Sequence, residues 1–242
     1  MQRSTLKRSA QKNDDGPLKA SIFGISGVPN FLKSVNSKFY FNLDLIQLLL
    51  TKFFFGRVTS HEYRWPNEVP LPLFGFSLKR FPFAIPVYFF MYRYHSGFRK
   101  KVLHKAEKQI EALLKNPSPL FIVAHSHGTN ITLDALNQMK ISKRSKIYLI
   151  LLAPAHERVL FGLFPFRYAV SKSAQNQAWA KVKGVFYARI DGDILSSDPD
   201  HPQAHTLPKS SWRHYIPGLS HSLIMTDYRL LDELKLFLKK NG

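Results

Sequence analysis

The chain has 242 residues, no cysteine, and 35 Lys and Arg against 16 Asp and Glu, a formal net charge of +19. The length suits one domain with a full core. The missing thiols exclude disulfides, cysteine nucleophiles and cysteine-ligated zinc, and fit a reducing, cytoplasmic compartment.

Residues 1–18 are basic and lack an apolar segment, so they do not read as a secretory signal. We read them as a disordered basic arm rather than a transit peptide, with the domain at 19–242. Ala20 to Ile25 has strand composition and runs into a loop with Gly27 and Pro29. Leu43 to Phe54 is apolar and helical in character, and Arg57 to Trp65 reads as a strand stopped by Pro66. Residues 67–98 are aromatic and punctuated by proline, without a clean period, and form a cap-like excursion. The most apolar run, Phe81 to Met91, carries Pro82 and Pro86. It is shorter than the ~18–20 residues of a membrane-spanning helix.

Lys100 to Lys115 repeats Leu103, Ala106, Ile110, Leu113 and Leu114 on one face, the period of an amphipathic helix. "PLFIVA" (119–124) reads as a buried strand, followed by a helix from about Thr129 to Met139. "KIYLILLAPA" (146–155) is another strand. A second aromatic excursion occupies about 156–183. "KGVFYARI" (183–190) and the short "HYIP" (214–217) are strands, and Asp227 to Lys239 is a closing helix. Strands alternate with helices and several are continuously apolar. The pattern predicts one α/β domain, a mostly parallel central sheet with helices on both faces.

Within that frame "VAHSHGTN" is specific. It is small-x-Ser-x-Gly placed between a buried strand and a helix. A serine hydroxyl is a weak nucleophile and must stand clear of the sheet where a base can reach it. A tight strand-to-helix turn achieves this, and tolerates only small residues two positions either side. Ala124 and Gly128 meet that demand, and the backbone N–H of His127 would face a developing oxyanion. The competing reading is a polar turn with Thr129 or Asn130 capping the helix.

Downstream, "ARIDGDIL" ends a strand in two acidic residues, and "PGLSHSL" holds His221 after a glycine turn. Together with "FGISGVPN" and "VAHSHGTN", these pieces resemble the α/β-hydrolase family of serine hydrolases over about residues 20–240, in the chain order Ser, Asp, His. The resemblance implies Ser126 as nucleophile, His221 as general base and Asp193 as the acid that orients it. Asp191 stays open as the alternative acid, since Asp193 is favoured only by lying two residues past the strand end with Ile194 and Leu195 after it. Val28 would donate the second oxyanion N–H, with Gly27 allowing close approach. The chain starts at what would be an internal strand of the family, so the resemblance implies a version trimmed at the N-terminus. The small residue before the elbow is alanine where the family more often has glycine.

The implied function is cleavage of a carboxylic ester, as an esterase or lipase on a hydrophobic acyl substrate, with no cofactor and no metal. His125 and His127 would not converge on a metal across a sharp turn, and we expect His125 to pack behind the nucleophile. Asp198, His201 and His205 match no metal signature and read as a solvated loop. The positive charge and the arginines among aromatics (Arg80, Arg93, Arg158, Arg167) point to an anionic membrane surface as partner, hence peripheral membrane association. The rival is a basic nucleic-acid- or membrane-binding protein on a catalytically silent hydrolase fold. No nucleic-acid-binding motif supports the nucleic-acid form.

Overall fold

The computed structural model describes residues 18–27, 43–54, 56–63, 91–141, 146–154, 170–193, 196, 204–209, 221 and 223–241. In chain order these form β1 (Leu18–Ile25), α1 (Asp44–Phe54), β2 (Arg57–Glu62), α2 (Ser96–Leu114), β3 (Leu120–His125), α3 (His127–Gln138) and β4 (Ile147–Leu152). Then come α4 (Lys172–Trp179), β5 (Gly184–Ile190), β6 (Ala204–Leu207), a 3-10 turn (Ile224–Thr226) and α5 (Tyr228–Asn241).

One six-stranded sheet runs in the order β2-β1-β3-β4-β5-β6. All five neighbouring pairs are parallel. The chain therefore steps outward from β1 to β2, then crosses back over β1 to β3 and proceeds to the other edge. Right-handed crossovers put helices on opposite faces when the direction of travel reverses. The packing follows this rule. Helices α2, α3 and α4 lie on one face over Phe23, Ile25, Ile122, Ala124 and Leu149. Helices α1 and α5 lie on the other, over Ile22, Phe121, Val123, Ile150 and Phe186. A strand covered on both sides must be apolar at every position, and β3 and β4 are buried throughout. The order reverses between β1 and β3, whose following helices α1 and α3 lie on opposite faces of the sheet, the position at which doubly wound sheets hold ligands.

The structure departs from the sequence expectation in four places. Helix α2 begins at Ser96, four residues before the apolar period starts. His95 caps it, its Nδ1 accepting from the Phe98 N–H at 3.0 Å. Helix α3 begins at His127 rather than Thr129. Within the second excursion, Lys172–Trp179 is a regular helix packed on α3, where Asn137 Nδ2 donates to the Ala174 carbonyl at 2.8 Å. Ala204–Leu207 forms the edge strand β6, and His205 is not in a solvated loop: it stacks on Phe186 and pairs with Glu233 at 3.0 Å. Trp65, Asp198, His201, the "HYIP" segment and the residues of the first excursion before Met91 lie outside the described residues.

Phe121 is fully buried at the centre of β3, stacked on Tyr148 with ring centroids 4.9 Å apart. Phe121→Ala should cost about 3–5 kcal/mol of stability, read from urea unfolding followed by circular dichroism.

Candidate active site

The end of β3 delivers Ser126 onto a sharp turn. Its N–H still donates to the Leu152 carbonyl at 3.0 Å, continuing the ladder to β4, while its own φ is 55° and ψ −130°. A positive φ at a residue with a side chain costs of order 1–3 kcal/mol and persists only where the surroundings impose it. Two close approaches impose it here. A Cβ on Gly128 would lie 2.1 Å from the Ile25 carbonyl oxygen, so α3 abuts the end of β1 with no room for a methyl group. A Cβ on Gly27 would lie 2.7 Å from the Ser126 Cβ, 2.9 Å from its Oγ and 2.7 Å from the His127 N. Gly27 thus passes directly over the serine and over the first amide of α3.

The Ser126 hydroxyl does not cap the helix. Thr129 takes a local role instead, its Oγ1 donating to the Ser126 carbonyl at 2.7 Å. In the polar-turn alternative Thr129 or Asn130 caps the helix; both lie inside α3, whose N-cap position is Ser126. A second residue with positive φ, Ala153 at 42°, ends β4 immediately beside the elbow.

His221 Nδ1 lies 2.8 Å from Asp193 Oδ2, with both side chains nearly buried. A carboxylate only accepts, so Nδ1 carries the hydrogen, and the tautomer this selects for the neutral ring has its lone pair on Nε2. Asp193 reaches this position by a tight turn. Its N–H donates to the Ile190 carbonyl at 3.1 Å, and Gly192 supplies the positive φ of 67° at the third turn residue. Asp191, the other acid of the motif, is exposed at the strand end, its N–H bonded to the Leu207 carbonyl. His125 ties the two halves together: its Nε2 donates to the His221 carbonyl at 2.8 Å. The residue before the serine therefore holds the backbone of the histidine that pairs with Asp193. Ser126, His125, His221 and Asp193 thus share one edge of the sheet; Val28 lies outside the described residues.

His127 is buried, its ring meeting the Tyr92 ring edge-on at 4.7 Å. The Tyr92 hydroxyl donates to Asp134 Oδ2 at 2.7 Å, and Arg99 donates to the same oxygen at 2.7 Å. Burial, then the Asp134 carboxylate, holds the Tyr92 phenol well above its ordinary value, so it stays a donor. This trio was not legible in the sequence. Tyr92 and Arg99 lie far from Asp134 along the chain, and no motif joins them.

No family model and no curated protein matches the chain. Among solved structures it is similar to a hydrolase from Oleispira antarctica, at 12% identity over 94% of this chain and 92% of that one, with a TM-score of 0.42. It is also similar to phospholipase PlaB from Legionella pneumophila in complex with thio-NAD, at 12% identity over 93% of this chain and 61% of that one, with a TM-score of 0.39. At such identities neither bears on the chemistry, which follows from the side chains above.

Two predictions follow from this packing. Glycine to alanine inside a helix ordinarily gains about 1 kcal/mol. Gly128→Ala should instead lose about 3 kcal/mol, because the added methyl meets backbone that cannot move aside; thermal unfolding gives the sign. The second concerns acid. Burial, helped by the His221 ring, pushes the His125 imidazole from 6.5 down to about 3. Burial and then Arg99 do the same to His127. Both stay neutral when folded and protonate when unfolded, so stability is full above pH 6.5 and falls as pH drops towards 3. At pH 5 each should have cost about 2 kcal/mol relative to pH 7 or above. Urea titrations at pH 7.5 and 5 should show that loss, with about half of it absent in His125→Gln.

Proposed function

We propose that the chain is a serine hydrolase of the α/β-hydrolase type that cleaves carboxylic esters of hydrophobic acyl groups. The observation that carries this reading is the buried His221–Asp193 pair at 2.8 Å, tied through His125, the residue before it, to a strained, uncapped Ser126. Ser126 Oγ attacks the acyl carbon while His221 Nε2 takes its proton. Asp193 keeps the imidazole in the tautomer that can do so and stabilises the imidazolium that forms. The oxyanion is met by the His127 N–H at the start of α3, with Val28 as the second donor. His221 then returns the proton to the leaving alcohol, and water repeats the sequence on the acyl-enzyme. The acyl specificity is proposed on the aromatic composition, the anionic membrane surface on the +19 charge, and a cytoplasmic setting on the absence of cysteine.

Labelling by a fluorophosphonate probe and turnover of p-nitrophenyl esters of varied chain length test the reading. Ser126→Ala should lose labelling altogether and turnover by several orders of magnitude while keeping its melting temperature. Asp193→Asn should lower turnover by ~10³–10⁴ and Asp191→Asn by about tenfold or less. Undiminished turnover in Ser126→Ala would sink the serine mechanism. A severe loss confined to Asp191→Asn would move the acid.

A further inference from the structure

Helix α2 buries Phe98, Val102, Leu103, Ala106 and Ile110 towards the sheet, which fixes the residues that face outward. Lys101, His104, Lys108 and Lys115 follow one another at helical spacing and, with Lys100 beside Lys101, form one exposed stripe. The helix is about 28 Å long, so these charges lie along a line and do not converge on a pocket. From Arg93 to Lys115 the chain holds seven Lys and Arg against two Glu. Arg93, Lys100, Lys101 and Lys108 have no ion pair among the described residues. Unopposed like charges repel one another, so the fold gains nothing from the stripe. The other face of the molecule differs. There Arg229 pairs with Asp227, Lys235 with Asp232, and His205 with Glu233.

One end of the stripe carries an aromatic ring. Tyr94, just before α2, is 55% exposed. It lies two residues from Tyr92, whose ring meets that of His127 beside Ser126. Arg93 and Tyr94 therefore stand at the carboxyl edge of the sheet, and Lys115 at the amino edge, where β3 begins. A tyrosine flanked by long basic side chains suits the headgroup level of a bilayer, the ring buried and the charges reaching the lipid anions. A single-stranded nucleic acid would call for several rings on which bases stack. Tyr94 is the one large exposed aromatic of this face among the described residues.

We propose that the outer stripe of α2 is the surface by which this chain lies on an anionic bilayer, with Tyr94 as its interfacial anchor. The proposal rests on the membrane association read from the +19 charge and not on the chemistry of Ser126. The anchored end of the helix is the serine's end.

Sedimentation of the full chain with vesicles of phosphatidylcholine and phosphatidylserine, at low and high sodium chloride, tests the surface. Each lysine held at an anionic surface contributes about fivefold to partitioning. Lys100→Gln/Lys101→Gln/Lys108→Gln should therefore weaken binding about a hundredfold at low salt. Lys52→Gln/Lys239→Gln/Lys240→Gln removes the same charge from exposed positions of α1 and α5, across the sheet, and should weaken it less than fivefold. Circular dichroism checks that both triple variants are folded. Because the chain has no cysteine, Tyr94→Cys accepts a single environment-sensitive fluorophore. Brominated lipid should quench that label and spare one placed at Leu48→Cys, exposed on α1. Equal losses from the two triple variants, or quenching at 48 no weaker than at 94, overturns the proposal and leaves membrane association standing. No vesicle binding at low salt ends both. Tighter binding to DNA or RNA than to vesicles, lost in the α2 triple variant, assigns the stripe to nucleic acid and also overturns it. Fluorophosphonate labelling of Ser126 is independent of all these outcomes.

Discussion

The distance between α3 and the end of β1 governs the carboxyl edge of this molecule. Gly128 sits where any side-chain atom would collide with the Ile25 carbonyl. That contact draws the helix start against the sheet, and so forces the intervening residue into a backbone conformation it would not adopt alone. Gly27 closes over the same point from the β1 side. The turn is held between two strands whose registers are set by a sheet buried on both faces, so the apolar core supplies the energy that the turn consumes.

A second constraint is electrical. His125 and His127 flank the serine and both are buried, which keeps them uncharged. A positive charge on His125, whose ring lies 5.1 Å from that of His221, would disfavour a second positive charge there. Neutral, each has a positional use instead. His125 donates to the His221 carbonyl, and His127 rests against Tyr92, itself held by Asp134 and Arg99. Helices α2 and α3 and the end of β3 are thereby referenced to one turn.

Much of this was legible because steric demands leave simple marks in a chain. A sharp strand-to-helix turn needs small residues at fixed offsets, and "AHSHG" has them between an apolar run and a helical one. A doubly covered strand must be apolar throughout, and "LFIVAH" and "IYLILL" are nearly so. What escaped is what leaves no period. Helix α4 reads "KSAQNQAW", polar along its length with only Ala178 buried, so no amphipathic repeat announces it. Strand β6 has four residues, too few to show alternation, and its His205 looked like loop because its partners Phe186 and Glu233 are distant in the chain. That Asp193 and not Asp191 lies against His221 goes with the positive φ of Gly192 between them, a dihedral that the spacing of the acids from the strand end does not reveal.

The strain at position 126 belongs to the backbone, not to the hydroxyl. Replacing serine by alanine removes the oxygen and leaves the conformational cost in place; only glycine would relieve it. A lineage that no longer needed the oxygen would therefore gain stability by drifting to glycine there, and nothing in the packing would oppose that change. At position 126 the fold would be better served by glycine, whereas at Gly27 and Gly128 the packing itself requires the residue found.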